Sequence, residues 1–153
     1  MMNIRIYIDT SVIGGYFDKE FDVATKEFFE HAYKNGAIFL ISDLLEFEIS
    51  SAPIFVKNFF YSLPKDQIIK IEVTEEAKAL AWMYINEKIV GDTSLGDCQH
   101  IATATLYFAD VLVSWNFKHI VNLTRIRGYN AINLREGHHT LEIRTPKEIF
   151  KNE

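Results

Sequence analysis

Apolar positions along the chain fall into two interleaved patterns. "IRIYI" at 4–8, broken only by Arg5, and "AIFLIS" at 37–42 are short apolar runs of the kind buried strands show. "QIIKIEV" at 67–73 alternates and reads as a third strand, and "DVLVS" at 110–114 as a fourth. Helical spacing fills the intervals. "TKEFFEHAYKNG" predicts a helix with Thr25 as N-cap and Gly36 as its stop. "LLEFEISSAPIFVKNFFYSL" predicts helix on both sides of a break near Pro53, which suits the start of the second piece. In "TEEAKALAWMYINEKI" the residues Ala77, Leu80, Ala81, Tyr84 and Ile85 form one apolar stripe, with Thr74 as cap. "SLGDCQHIATATLYFA" predicts a further helix with Ile101, Ala104, Thr105 and Phe108 on one face. After "WNFKHIVNLTRIRGYN" a short strand "AINL" is expected, then a mixed tail.

Strands alternating with helices predict an α/β fold: a single compact three-layer α/β/α domain with a mostly parallel central sheet. No repeat, low-complexity tract or linker divides residues 1–153. The core is expected over about 4–133, and the tail 134–153 is too short for a domain.

Composition narrows the class. Apolar residues make up 48% and aromatics 14%, so a packed core is available. The lone cysteine, Cys98, excludes an internal disulfide framework and a cysteine-based zinc site, and fits a reducing cytoplasm. No signal peptide is expected, because Arg5 interrupts the first apolar run, and no run is long enough to span a bilayer. The net charge of −5 argues against a generic basic nucleic-acid coat. Residues 1–100 hold 9 Lys+Arg against 16 Asp+Glu, whereas residues 101–153 hold 7 against 5.

Part of that acidic excess falls where chemistry is expected. "YIDTSV" places Asp9 at the end of the first strand, and ligands in open α/β sheets bind outside the carboxyl ends of strands. Glu48 follows the second strand, Asp97 opens a helix, and Asn116 follows the fourth strand two residues after Ser114. Parallel strands bring these ends to one edge. Gathered carboxylates repel one another, and a divalent cation with a preference for hard oxygen ligands is the usual compensation. Such sites activate water and stabilise the leaving oxygen in phosphoryl transfer.

Four segments carry a resemblance to the PIN-domain family, which includes the toxin nucleases of bacterial toxin–antitoxin pairs. "YIDTSV" resembles the first motif, with Asp9 as metal ligand supported by Thr10 and Ser11. "ISDLLEFEIS" resembles the second and, aligned on Ser42 and Leu44, places the family's glutamate on Glu48 rather than Glu46. "GDCQHIATA" resembles the third, with Asp97 as ligand. "ADVLVSWNFKHI" resembles the fourth, with Ser114 at a Ser/Thr position and Asn116 where aspartate is frequent. The likeness spans about residues 4–133. It implies an Mg²⁺ or Mn²⁺ site, cleavage of RNA, homodimers, and a small antitoxin that blocks the site. It implies catalytic roles for Asp9, Glu48, Asp97 and Asn116. Asn116 is read as a tolerated member of a sub-branch; its neutral amide lowers the site's negative charge and binds a second ion less well.

Plainer readings stand beside these. "SLGD" fits a capping box, so Asp97 also suits a structural place in a first helical turn. Glu46 reads as a surface acid, Asp43 as a cap or loop residue, and Asp92 and Asp110 as turn residues. His100, three residues past Asp97, reads as a surface or core histidine, with a site-facing role toward substrate as the alternative, and "GHH" at 137–139 as a loop. Trp115 and Phe117 read as core, with stacking on unpaired bases as the alternative. Lys118, His119, Arg125 and Arg127 are either an RNA-phosphate surface or a solvated face. Two rivals to the nuclease remain. One is an RNA- or protein-binding module that holds metal too weakly to act. The other is a phosphatase with Asp9 as nucleophile, which lacks a second acid two residues on, where Ser11 stands.

Overall fold

The structure is a computed structural model that describes residues 3–88 and 93–150; Asp92 and Ile89 lie outside the described residues. Five parallel strands form one sheet in the order β3-β2-β1-β4-β5. They are β1 Arg5–Ile8, β2 Ile38–Ser42, β3 Ile68–Ile71, β4 Val111–Val113 and β5 Ile143–Arg144. Among the described residues seven α-helices accompany them: α1 Thr10–Gly15, α2 Asp22–Lys34, α3 Asp43–Ile49, α4 Ile54–Tyr61, α5 Glu75–Asn86, α6 Leu95–Leu106 and α7 Leu123–Arg135. None of the described helices is long and apolar enough to cross a membrane.

Successive strand residues point to opposite faces, and both faces are covered. Ile6, Ile8, Phe39, Ile41, Val111 and Val113 pack in one core with α1–α4. Tyr7, Leu40, Leu112 and Ile143 pack in the other with α5–α7. The apolar strand runs therefore reflect two buried faces, and the three-layer α/β/α expectation holds.

Several local expectations hold for physical reasons visible in the caps. The Thr74 hydroxyl accepts from the Ala77 N–H, and Ala77, Leu80, Ala81 and Tyr84 are buried as one stripe. Ser94 opens α6 by accepting from the Asp97 N–H. Gly36 follows α2 with φ +69°, a conformation that favours glycine.

Other expectations are corrected. Thr25 is not the cap of α2, which starts three residues earlier; its hydroxyl donates to Phe21 O within the helix. Asp43 is not a cap either: Ser42 caps α3, while Asp43 accepts from the Val73 N–H and ties α3 to the end of β3. Phe108 leaves the α6 face with φ +56° and is exposed. "AINL" is not a strand but the last part of α7, whose Tyr129, Ile132 and Asn133 are buried against α5 and α6. The tail supplies β5, and "TSVIGG" after Asp9 is the short helix α1.

Gly15 ends α1 against Trp115. A Cβ there would lie 2.7 Å from Trp115 Cδ1 and Nε1 and 3.1 Å from Thr25 Oγ1. The indole is buried and donates from Nε1 to Thr25 Oγ1 at 2.9 Å, so the ring has little room to give. Gly15→Ala is expected to destabilise the fold by about 1–3 kcal/mol through overpacking. A urea midpoint equal to that of the parent protein would contradict this packing.

Candidate metal and nucleic-acid site

The site grows from the neighbouring ends of β1 and β4. Ile8 pairs with Val113, so the residues that follow, Asp9 and Ser114, meet at the point where strand order reverses. Asp9 caps α1 and is 4% exposed. Its Oδ2 accepts from Ser114 Oγ and its Oδ1 from Ser11 Oγ, each at 2.6 Å. Ser11 Oγ in turn accepts from the Trp115 N–H at 2.9 Å, and Ser114 Oγ from the Asn116 N–H at 2.9 Å. The two hydroxyls thus fasten the turn after β1 to the turn after β4. Burial raises the Asp9 pKa, and the nearby Asp97 charge adds to this; His100 and the two serine hydrogen bonds oppose it without cancelling it.

Glu48 reaches the same edge from α3. Its Oε1 accepts from Thr10 Oγ1 at 2.6 Å and lies 2.7 Å from His100 Nε2. Half-burial pulls its pKa up, but the bonds from His100 and Thr10 outweigh that and hold it below the ordinary glutamate value. Glu46 points elsewhere, with its carboxylate 3.6 Å from the exposed Lys70 ammonium. Asp97 stands in the first turn of α6 and is half-buried. Its Oδ2 accepts from Asn116 Nδ2 at 3.3 Å.

Asn116 is pinned in a way the sequence does not show. Its carbonyl accepts from the His119 N–H at 3.0 Å, so its amino group is the end that faces Asp97. An aspartate here would accept the first bond but repel Asp97. Trp115 is buried as expected of core, whereas Phe117 is half-exposed beside it. Thr93 Oγ1 accepts from Arg125 Nη1 at 2.6 Å and lies 3.5 Å from His119 Nδ1, while Lys118 and Arg127 are exposed. The sequence reading missed Tyr7 and favoured a surface or core place for His100 over a site-facing one. His100 is buried against Glu48, and Tyr7 stands behind it; only the three-residue spacing from Asp97 pointed to His100.

Among the described residues no three His, Cys, Asp or Glu side chains converge closely enough to hold an ion as they stand. Each carboxylate is held apart on its own donors: Asp9 on serines, Glu48 on Thr10 and His100, Asp97 on Asn116. The donor chemistry nevertheless fits a hard divalent cation, because all three offer carboxylate oxygen and the partners of buried Asp9 are hydroxyls and a backbone N–H rather than a cation.

No family model and no curated protein matches the sequence. Solved structures do match in fold. VapBC2 from Rickettsia felis, bound to a promoter DNA fragment, superposes with a TM-score of 0.59 at 17% identity, covering 93% of this chain and 98% of that one. Mycobacterium tuberculosis VapC20, a toxin that cleaves the sarcin-ricin loop, gives 0.58 at 14% identity, covering 74% and 92%. FitAcB from Neisseria gonorrhoeae gives 0.58 at 12% identity, covering 94% and 99%. Such identities establish architecture. The chain has the PIN-like α/β/α fold that its four motifs suggest.

The raised Asp9 pKa has a testable sign. An aspartate in the unfolded chain titrates near about 4. The native state keeps its proton to higher pH, so stability falls as pH rises through the window between the two values and stays lower above it. Asn retains the cap and removes the buried charge. The metal-free Asp9→Asn protein is therefore expected to melt above the parent at pH 7, with the difference closing as pH drops toward 4. A variant that melts at or below the parent at pH 7 would contradict a dominant burial penalty.

Proposed function

We propose that this protein is a Mg²⁺- or Mn²⁺-dependent endoribonuclease and the toxin of a toxin–antitoxin pair. The observation that supports the reading is that Asp9 sits at the strand-order reversal of a PIN-like sheet bonded to Ser114, with Glu48 bonded to the next residue, Thr10, and Asp97 bonded to Asn116, two residues past Ser114. The VapC20 likeness supports RNA as substrate, and the VapBC2 and FitAcB likenesses support a small antitoxin partner. A second copy of the chain completes the expected assembly.

Asp9, Glu48 and Asp97 are the residues that would hold the ion. When bound, a divalent ion supplies positive charge for the phosphate and makes water more acidic. The protein's own share is positioning. Ser11 and Ser114 orient both oxygens of Asp9, Thr10 orients Glu48, and Asn116 orients Asp97. Lys118, His119, Arg125 and Arg127 follow β4 in the chain and would supply the contacts to RNA phosphates. Attack of water on the phosphorus with loss of the 3′ oxygen leaves 5′-phosphate and 3′-hydroxyl ends.

One observation favours a second reading, a weakly active binding module: the Asn116 carbonyl is already engaged by the His119 N–H. Calorimetric titration with Mn²⁺ separates the two, since a Kd weaker than about 1 mM supports the module. The direct test is cleavage of a mixed single-stranded RNA pool with Mn²⁺, beside EDTA. Cleavage is expected in the parent and at background in Asp9→Asn and in Asp97→Ala, both still folded by circular dichroism. Undiminished cutting by Asp97→Ala would reject this site.

A further inference from the structure

His100 is 2% exposed, and both its ring nitrogens have partners. Nε2 lies 2.7 Å from Glu48 Oε1, and Nδ1 lies 2.5 Å from the Tyr7 hydroxyl. Tyr7 comes from the central strand and is fully buried; its hydroxyl also lies 2.9 Å from Ser42 Oγ, the cap of the helix that carries Glu48. The contacts therefore run from the start of α3 through β1 and α6 and back to Glu48 on α3. Thr10 of α1 adds a second donor to the same Glu48 oxygen.

Proton placement follows from geometry. An imidazole lone pair and a carboxylate oxygen do not sit stably at 2.7 Å without a hydrogen between them. Nε2 therefore carries the proton and donates to Oε1, whichever way the Tyr7 hydroxyl turns. Two donors on two different elements hold Oε1. Among the described residues, Oε2 has no hydrogen-bond donor and faces Gly96 in the first turn of α6, the turn that also carries Asp97; a Cβ on Gly96 would lie 3.9 Å from it.

We propose that His100 is the positioning residue for Glu48, seated by Tyr7, and that it fixes the carboxylate with Oε2 as the oxygen available to a divalent cation. This rests on the metal-site reading of Glu48. A histidine that merely fills space predicts no need for a donor at Nε2. Two substitutions separate these roles: His100→Leu fills the space without a donor, and His100→Gln places an amide N–H where Nε2 stood.

The test is calorimetric titration of the full chain with Mn²⁺ alone, with thermal melts as the control for folding. His100→Leu is expected to weaken Mn²⁺ binding about 10-fold or more, and His100→Gln to stay near the parent. In the metal-free parent, NMR is expected to show a slowly exchanging His100 Nε2–H that shifts in Glu48→Gln. A folded His100→Leu protein that binds Mn²⁺ like the parent overturns the proposal, as does a His100→Gln protein that loses as much affinity as the leucine variant. A parent that shows the ring proton but binds no Mn²⁺ overturns the metal reading, and the positioning role falls with it. If His100→Leu fails to fold, Tyr7→Phe replaces it, and unchanged Mn²⁺ affinity in that folded variant overturns the proposal.

Discussion

A carboxylate sealed from water at the rim of a parallel sheet is the constraint around which this molecule is arranged. Asp9 is nearly inaccessible, and an unpaired buried charge is strongly unfavourable unless hydrogen bonds or a cation compensate it. Two serine hydroxyls and a backbone N–H supply part of that compensation. Each donor depends on a different feature of the fold. Ser114 requires β4 beside β1, the Val12 N–H requires the short helix after β1, and Ser11 is itself held by the Trp115 backbone. Trp115 in turn needs a residue without a side chain at position 15. The site and the sheet centre are therefore one construction.

Much of this was legible because several sequence signals agreed. The α5 stripe and its Thr74 cap both point to a helix, and it forms. Asp9 could be read as a rim carboxylate because an apolar run ends on it and hydroxyls follow. The misses share a physical cause, which is tertiary context outweighing local pattern. "AINL" has strand-like residues, yet Tyr129, Ile132 and Asn133 bury against α5 and α6 at helical spacing. α1 is six residues long with two glycines, too short and too poor in helix formers to be called from propensity. β5 is two residues long and exists because β4 offers it an edge.

The site was partly legible for the same reason. Carboxylates at strand ends announce themselves, but the groups that orient them arrive across the sheet. Tyr7 lies on the strand that leads to Asp9, two residues before it, and its partner His100 is 93 positions away. Sequence spacing carries no trace of that contact. The amide of Asn116 is similar. Its charge deficit was visible, while the engagement of its carbonyl by the His119 N–H depends on the turn after β4.

The strand order also bears on when the rim around Asp9 can form during synthesis of the chain. β1 leaves the ribosome before the other four described strands yet belongs at the centre of the sheet, and the Asp9–Ser114 bond joins residues 105 positions apart. Pairings so distant in sequence form late, because the loop must close before they contribute. β1 with β2 and β3 makes a half-sheet that exposes one flank until β4 emerges. A nascent chain that stops short of Ser114 therefore lacks Ser114, Asn116 and α7, and with them the geometry that steadies Asp9 and Asp97. The arrangement that steadies Asp9 and Asp97 is thus assembled only after β4 and the turn behind it have been made, a built-in delay between the start of β1 and the finished rim.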